Sequence, residues 1–451
     1  MKLSVLILSF FSIFLFGQDI PKQPNIIFIF ADDWGYGDLS IHNSSFVQTP
    51  NIDRMAKEGI DFQSFSVLNP VCSPSRVAVM TGQYPARHSI HGHFATVSSH
   101  MKRNMPDWLD PNVVILPKLL QQAGYKTAHF GKWHLTNTHI PDGPSPSEYG
   151  YDEFACFNVS SKYKQIHPDH SIDKAIQFIT TNKDKPFFVN LWIHETHTPH
   201  YPKQEFLKNY EALDEQKQVY AAIVEEADTK IGQIMETLIS LGLDKNTLVI
   251  FSSDNGPEFT GKEKELMDNS TGKGLGTYFS VGETAGLKGR KRSLFAGGTR
   301  VPFIVWWPGV VKGGVVDKTS NLSAVDLLPT FCELAGINLP ENYLPDGESF
   351  VNLLLGNEFK RTKPIYWQWK FSNLQKYFWA SAAIQDGKWK LYVNQKKGLM
   401  ELYDLDLDWF ELNNVSSQYP KIVQSLFEKI QIWEDTLPLE APKHCFSKLR
   451  H

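Results

Sequence analysis

Cysteine is scarce in this chain of 451 residues: Cys72, Cys156, Cys332 and Cys445 are its only four, and they are widely scattered. That excludes a disulfide framework and a CxxC metal site. A surplus of one charge is also lacking. Lys and Arg number 45 against 49 Asp and Glu, a formal −4, so the chain as a whole has no reason to seek nucleic acid or an acidic membrane. Any anionic ligand must be held by local cations. No internal repeat or low-complexity tract is present. Long apolar runs are almost missing, and only Leu3 to Phe16 stands out, behind Lys2 and ahead of Gly17-Gln18-Asp19. About 14 residues, broken only by small serines, fit a secretory signal peptide and fall short of the roughly 20 that a spanning helix needs. Residues 1–17 are therefore expected to direct export, to a periplasm or beyond, with no stable membrane insertion of the mature chain.

What is present is a large apolar content, 42% hydrophobic and 13% aromatic, which rules out disorder and supports a sizeable core. Asn25 to Phe30, Pro186 to Ile193 and Thr247 to Ser252 are apolar without alternation, as in strands covered on both faces. Between them lie helical patterns. One opens at Thr49-Pro50-Asn51 and closes at Gly59, one spans Pro117 to Gln122, and Glu215 to Ser240 forms a long one. Ala324 to Ala335, closed by Gly336, is the last helix of this unit. The order predicts an α/β fold with a large, mostly parallel sheet flanked by helices, over residues 24–355. After about Leu355 the texture changes. Ile365 to Trp369, Ala380 to Gln385, Trp389 to Val393 and Met400 to Leu405 are short strand-like runs joined through Asp386-Gly387 and Lys396-Lys397-Gly398, and Pro420 to Trp433 is amphipathic. Residues 356–451 are thus expected to form a smaller antiparallel sheet with a helix.

Ligands in an open parallel sheet gather beyond the carboxyl ends of its strands. Two such ends carry oxygen donors: Asp32-Asp33 after the first strand, and Asp254-Asn255 after the strand ending at Ser252-Ser253. Either pair alone reads equally well as an Asx turn or helix cap. Together they make an all-oxygen set suited to Ca²⁺ or Mg²⁺ rather than zinc. Between them in the chain lies Cys72-Ser73-Pro74-Ser75-Arg76, running on to Thr81-Gly82. A lone cysteine is commonly a buried small hydrophobe. Here Pro74 can occupy the first position of a helix ending near Gly82, which would set Cys72 at a positive helix end with the Arg76 cation in the first turn.

This run resembles the signature of the type I sulfatase family, within the alkaline phosphatase superfamily. The resemblance extends through Gly131-Lys132-Trp133-His134, through Arg290-Lys291-Arg292-Ser293-Leu294-Phe295-Ala296-Gly297-Gly298-Thr299-Arg300-Val301-Pro302, and into Gly387-Lys388-Trp389-Lys390-Leu391 and Leu402-Tyr403-Asp404-Leu405, covering Pro24 to about Trp433. It implies that a separate maturation enzyme oxidises Cys72 to formylglycine, whose hydrate is the nucleophile. It also implies one Ca²⁺ on Asp32, Asp33, Asp254, Asn255 and the modified residue 72, with Arg76, Lys132 and Lys291 holding sulfate oxygens and His134 beside the hydrate. One hydroxyl would attack sulfur and expel the alcohol, giving a covalent sulfo-enzyme, and the second would release sulfate. For the family's remaining histidine, the acid for the leaving oxygen, His194, His197 and His200 compete. His197, two residues before Pro199, fits best, and Lys291 is the other candidate acid. The chain departs from the family at Ala296, where glutamate is usual, and at Thr196, where many relatives have proline.

The activity implied is that of a sulfuric ester hydrolase. Trp133, His91, His194, Arg290 and Arg292, with Arg87, His88 and His93 nearby, could hold a polyanionic sugar, although each alone reads equally well as solvated surface. A sulfated polysaccharide of the algal ulvan, carrageenan or fucan type is the leading substrate and a glycosaminoglycan the second. A phosphonate or phosphate ester hydrolase of the same superfamily and a non-catalytic sulfated-glycan binder are the other readings.

Overall fold

A computed structural model describes residues 20–258 and 280–450; the expected signal segment lies outside them. In chain order the first strands are β1 (Asn25–Ala31), β2 (Ile60–Phe62), β3 (Phe65–Ser66), β4 (Lys126–Lys132), β5 (Glu153–Phe157), β6 (Phe187–Trp192), β7 (Thr247–Ser253), β8 (Phe303–Trp306), β9 (Val315–Asp317) and β10 (Leu322–Ser323). β3 and β10 pair by themselves. The other eight form one sheet in the order β5-β4-β6-β1-β7-β8-β2-β9. Only β8 runs against its neighbours, so the sheet is mostly parallel as expected.

The missing alternation in β1 has a direct cause. Ile26, Phe28 and Phe30 enter one core, and Ile27, Ile29 and Ala31 enter another on the opposite face. Helices Cys72–Thr81, Leu116–Gln122 and Leu327–Leu334 cover the first face, and Pro50–Glu58, Ser171–Thr181 and Glu215–Ser240 the second. The long helix also caps a neighbour: Asp228 accepts the Asn51 and Ile52 N–H groups at 3.0 and 2.8 Å, placing a carboxylate where the first turn of Pro50–Glu58 has orphan donors.

The C-terminal part is an antiparallel sheet of β11 (Ile365–Gln368), β12 (Ala382–Asp386), β13 (Trp389–Asn394) and β14 (Leu399–Asp404). Its hairpins turn at Gly387 and Gly398, both with positive φ, +57° and +64°. Helix Pro420–Asp435 seals one face through Leu426 and Ile430. Trp367, Ala383, Tyr392 and Tyr403 on the other face join the larger core, which locks this sheet onto the main unit. Among the described residues no helix is long and apolar enough to cross a membrane, and all four cysteines are free and buried.

Candidate active site

Register decides which residues meet at the carboxyl edge of the sheet. Ala31 pairs with Ser253 across β1 and β7, so Asp32 and Asp254 follow side by side. Gly131 pairs with Trp192 across β4 and β6, which brings Lys132 and, two residues past β6, His194 to the same edge. Gly131 has φ +102°, and a Cβ there would lie 2.1 Å from the Trp192 carbonyl oxygen. Gly131→Ala is therefore expected to destabilise the protein by about 2 kcal/mol or more, read as a lower denaturation midpoint. An unchanged midpoint would mean that the edge beside Lys132 is soft.

Helix Cys72–Thr81 starts at Cys72 itself, with Val71 as its extended cap. Pro74 is thus the third helical residue and not the first, as expected above. Its missing N–H costs nothing there, because first-turn N–H groups have no intrahelical acceptor. Cys72 is 5% exposed, and its sulfur lies within 4.8 Å of carboxylate oxygens of Asp32 and Asp254. One turn on, Arg76 is fully buried. Its Nη2 donates to Asp254 Oδ2 at 2.5 Å and lies 3.6 Å from Asp32 Oδ1, and its guanidinium sits over the Trp192 and Phe30 rings at 4.9 and 5.6 Å. Lys132 Nζ donates to Asp32 Oδ2 at 2.6 Å and Lys291 Nζ to Asp33 Oδ2 at 2.5 Å.

Three buried carboxylates thus face three buried cations. Burial works against the charge of Asp32, but Lys132 and the hydrogen bond from His194 outweigh it and hold its carboxyl well below the usual range. Asp33 is lowered likewise, with Lys291 outweighing burial. Asp254 goes the other way, pushed up to about 7 by burial and by Asp32, against the pull of Arg76. The set needs more positive charge before all three ionise together at neutral pH. Two oxygens also await a partner: Asp32 Oδ1 and Asn255 Oδ1 are buried with no hydrogen bond, while Asn255 Nδ2 is spent on Asp33 Oδ1 at 2.7 Å. Unpaired buried acceptors in an all-oxygen set fit a hard divalent cation.

The histidines divide by their bonds. His134, with φ +53°, has Nε2 2.8 Å from the Phe94 carbonyl, so Nε2 carries the proton and Nδ1 keeps the lone pair. Burial and Lys132 push its pKa well below the ordinary value, which keeps it neutral. His194 Nδ1 reaches Asp32 Oδ2 at 2.5 Å. His197 Nδ1 donates to the Thr198 carbonyl at 2.7 Å, leaving Nε2 3.8 Å from Asp33 Oδ2. The two rings stack with centroids 4.6 Å apart, and His200 instead turns inward beside Tyr220. Thr196 donates its hydroxyl to the Asp32 carbonyl at 2.6 Å and so ties the histidine loop to the carboxylates.

Two of the expected sugar contacts, Trp133 and His91, need correction. Trp133 cannot meet a sugar, because it is fully buried among His129, Tyr149, Tyr151 and Trp192. His91 is buried and bonded to Lys370. Arg290 lies 5.9 Å over Phe378, in a cleft shared with Lys288 and Gln375. Arg292 is at the rim, paired with Glu258 at 2.7 Å, and Glu258 also lies 3.8 Å from Lys291. At Ala296, buried Glu411 accepts the backbone N–H at 2.8 Å. Glu258, Glu411 and the Phe94 carbonyl were not found from the sequence, since nothing local marks a partner so distant in the chain.

A family model described as Sulfatase matches residues 24–337, and one described as N-sulphoglucosamine sulphohydrolase, C-terminal, matches residues 289–435. The chain belongs to the sulfatase family. This sulfatase is 31% identical over 381 residues to N-acetylgalactosamine-6-sulfatase of Rattus norvegicus, covering 76% of this chain and 67% of the relative. It is 28% identical to N-acetylgalactosamine-6-O-sulfatase of Bacteroides thetaiotaomicron, covering 92% and 94%. Among solved structures, Ps i-CgsB in complex with k-i-k-neocarrahexaose superposes with a TM-score of 0.75 at 28% identity, covering 91% of this chain and 93% of that one. The sulfatase is accordingly a sulfuric ester hydrolase with the alkaline-phosphatase-like fold, from a family that generally uses formylglycine and a divalent metal.

Proposed function

We propose that this sulfatase is exported and removes sulfate from a sulfated polysaccharide or its oligosaccharides, of the carrageenan, ulvan or fucan type, with formylglycine made from Cys72 by a maturation enzyme. The observation that carries the reaction is Cys72 within 4.8 Å of the Asp32 and Asp254 oxygens in a ring of three cations. The neocarrahexaose bound by Ps i-CgsB supports the substrate class. The two N-acetylgalactosamine-6-sulfatases favour a glycosaminoglycan as the second reading. Desulfation of defined oligosaccharides from each class, read as released sulfate, separates the two. Failure on all of them with turnover of a phosphonate ester would overturn both.

Asp32, Asp33, Asp254 and Asn255 would hold a divalent cation, Ca²⁺ by the hardness of the donors, and it would supply positive charge to the sulfate oxygens and acidify a hydroxyl. Hydrated formylglycine at position 72 would supply that hydroxyl and the second one needed to let sulfate go. The remaining work falls to the chain. Arg76 is held rigid by two aromatic faces and Asp254, so it meets developing charge without reorganising. Lys132 and Lys291 keep their protons, since Asp32 and Asp33 outweigh the effect of burial, and serve as cations for the sulfate. His134 Nδ1, neutral and lone-paired, is the group to hold a proton taken from the nucleophile. Chelation is expected to abolish turnover, with Ca²⁺ restoring it best at one ion per chain. Asp33→Ala, removing a ligand outright, should cost more than the about 10–100-fold usual for losing an outer partner of a metal ligand. Two zinc ions per chain, with activity following zinc, would contradict this assignment.

A further inference from the structure

Building on the sulfatase reading, we infer that Arg103 and Lys370 recognise a second anionic group, a carboxylate or another sulfate, on the sugar adjoining the one that loses its sulfate.

The segment His91–Phe94 is bonded directly to the reacting machinery. The Phe94 N–H donates to Ser73 Oγ at 3.0 Å, beside Cys72, and its carbonyl accepts from His134 at 2.8 Å. The His93 ring lies 6.4 Å from that of His134. The same short segment gathers two cations from elsewhere in the chain. Arg103 Nη1 donates to the His93 carbonyl at 3.1 Å, and its guanidinium lies 4.9 Å over the Phe371 ring. Lys370, from the C-terminal sheet's first loop, donates to His91 Nε2 at 2.8 Å. Gly92 permits this approach, since a Cβ there would fall 2.8 Å from the Phe371 ring and 3.2 Å from Arg103 Nη1.

The partners of these two cations set them apart. Arg87 is paired with Asp346, Arg292 with Glu258, and the three inner cations with the carboxylates. Arg103 is held by a carbonyl and an aromatic ring and Lys370 by an imidazole; Glu434 offsets only part of the effect of burial on Lys370, and neither cation has an ion pair within 4 Å among the described residues. Burial pushes His91 down to about 3, so it stays neutral and accepts from Lys370 without adding charge. Such partners aim a cation without neutralising it, which leaves its charge for a ligand anion. Lys132 and Lys291 already serve the reacting sulfate, so these outer cations answer to a second anion. Arg103 is half-buried and Lys370 exposed, so a ligand can reach both, and each already holds one hydrogen bond to the tripeptide His91–His93, which lowers the entropy cost of ordering it on a ligand.

The test uses three sulfated disaccharides alike except in the adjoining sugar, which carries a carboxylate, a second sulfate or neither. Binding is measured on the inert Cys72→Ala background and turnover on the wild type. The wild-type framework should prefer at least one charged probe over the neutral one by about 10–100-fold, the scale of a charge-assisted contact. Arg103→Gln with Lys370→Gln should erase that preference, and Arg103→Lys should keep part of it. The charged probe that wins identifies the source of the anion. A preference that survives in the double variant, or none in the parent, overturns the inference. No sulfate release from any probe would count against the sulfatase reading alone, since the binding ratios decide the anion site without turnover.

Discussion

Cys72→Ala is expected to abolish sulfate release, by about 10⁶-fold as for hydrolases deprived of their nucleophile, while the fold persists. The thiol itself cannot do the chemistry. Burial pushes its pKa up, and Asp254 and Asp32 add to that against Lys132 and Lys291, so thiolate is scarce at neutral pH despite the helix end. A hydroxyl at this position avoids that limit, but a single hydroxyl would trap sulfate on the protein. Cys72→Ser should therefore release at most one equivalent of alcohol and then stop, and this burst separates loss of attack from loss of turnover. Peptide mass spectrometry should find residue 72 as formylglycine in active preparations, and protein made without the maturation enzyme should be inactive. Fully active protein carrying only unmodified Cys72 would refute the assignment.

How much of this was legible in the sequence depended on how local each signal was. β1, β6 and β7 are continuous apolar runs because both their faces are buried, and the pattern alone reveals them. β4, Lys-Thr-Ala-His-Phe-Gly-Lys, escapes such a reading because it carries His129 and Lys132 inward and replaces a side chain by Gly131 where β6 crowds it. The carboxylate pairs were visible as oxygen donors at two strand ends, since parallel strands deliver their ends to one edge whatever lies between. Trp133 was misjudged because its neighbours in the chain, Lys132 and His134, do face the cluster while its own ring turns into the core. Arg103 and Lys370 were out of reach, since His91 and Lys370 are 279 residues apart and only the docking of the C-terminal sheet joins them.

The histidine that serves the leaving group should show itself by selectivity. A sugar alkoxide needs its proton almost fully in the transition state, whereas an activated phenolate departs with little help. His197→Ala is expected to lose about 10²–10⁴-fold in kcat/KM on a carbohydrate sulfate and much less on an aryl sulfate. The geometry offers a real competitor. His194 is tied through Nδ1 to Asp32 at 2.5 Å, whereas His197 spends Nδ1 on a carbonyl and keeps Nε2 near Asp33 at 3.8 Å. Burial pushes His197 well below its ordinary pKa, outweighing Asp32 and Asp33, so it is neutral in the free protein. It must then gain its proton as the anionic ester arrives, because a negative neighbour favours imidazolium. His194→Ala should instead disturb Asp32 and depress both substrates alike, and Lys291→Ala, removing a sulfate cation, should do the same. Equal losses on the two substrates for His197→Ala would reduce it to a sulfate ligand, and a carbohydrate-selective loss in His194→Ala would move the acid to the histidine on Asp32.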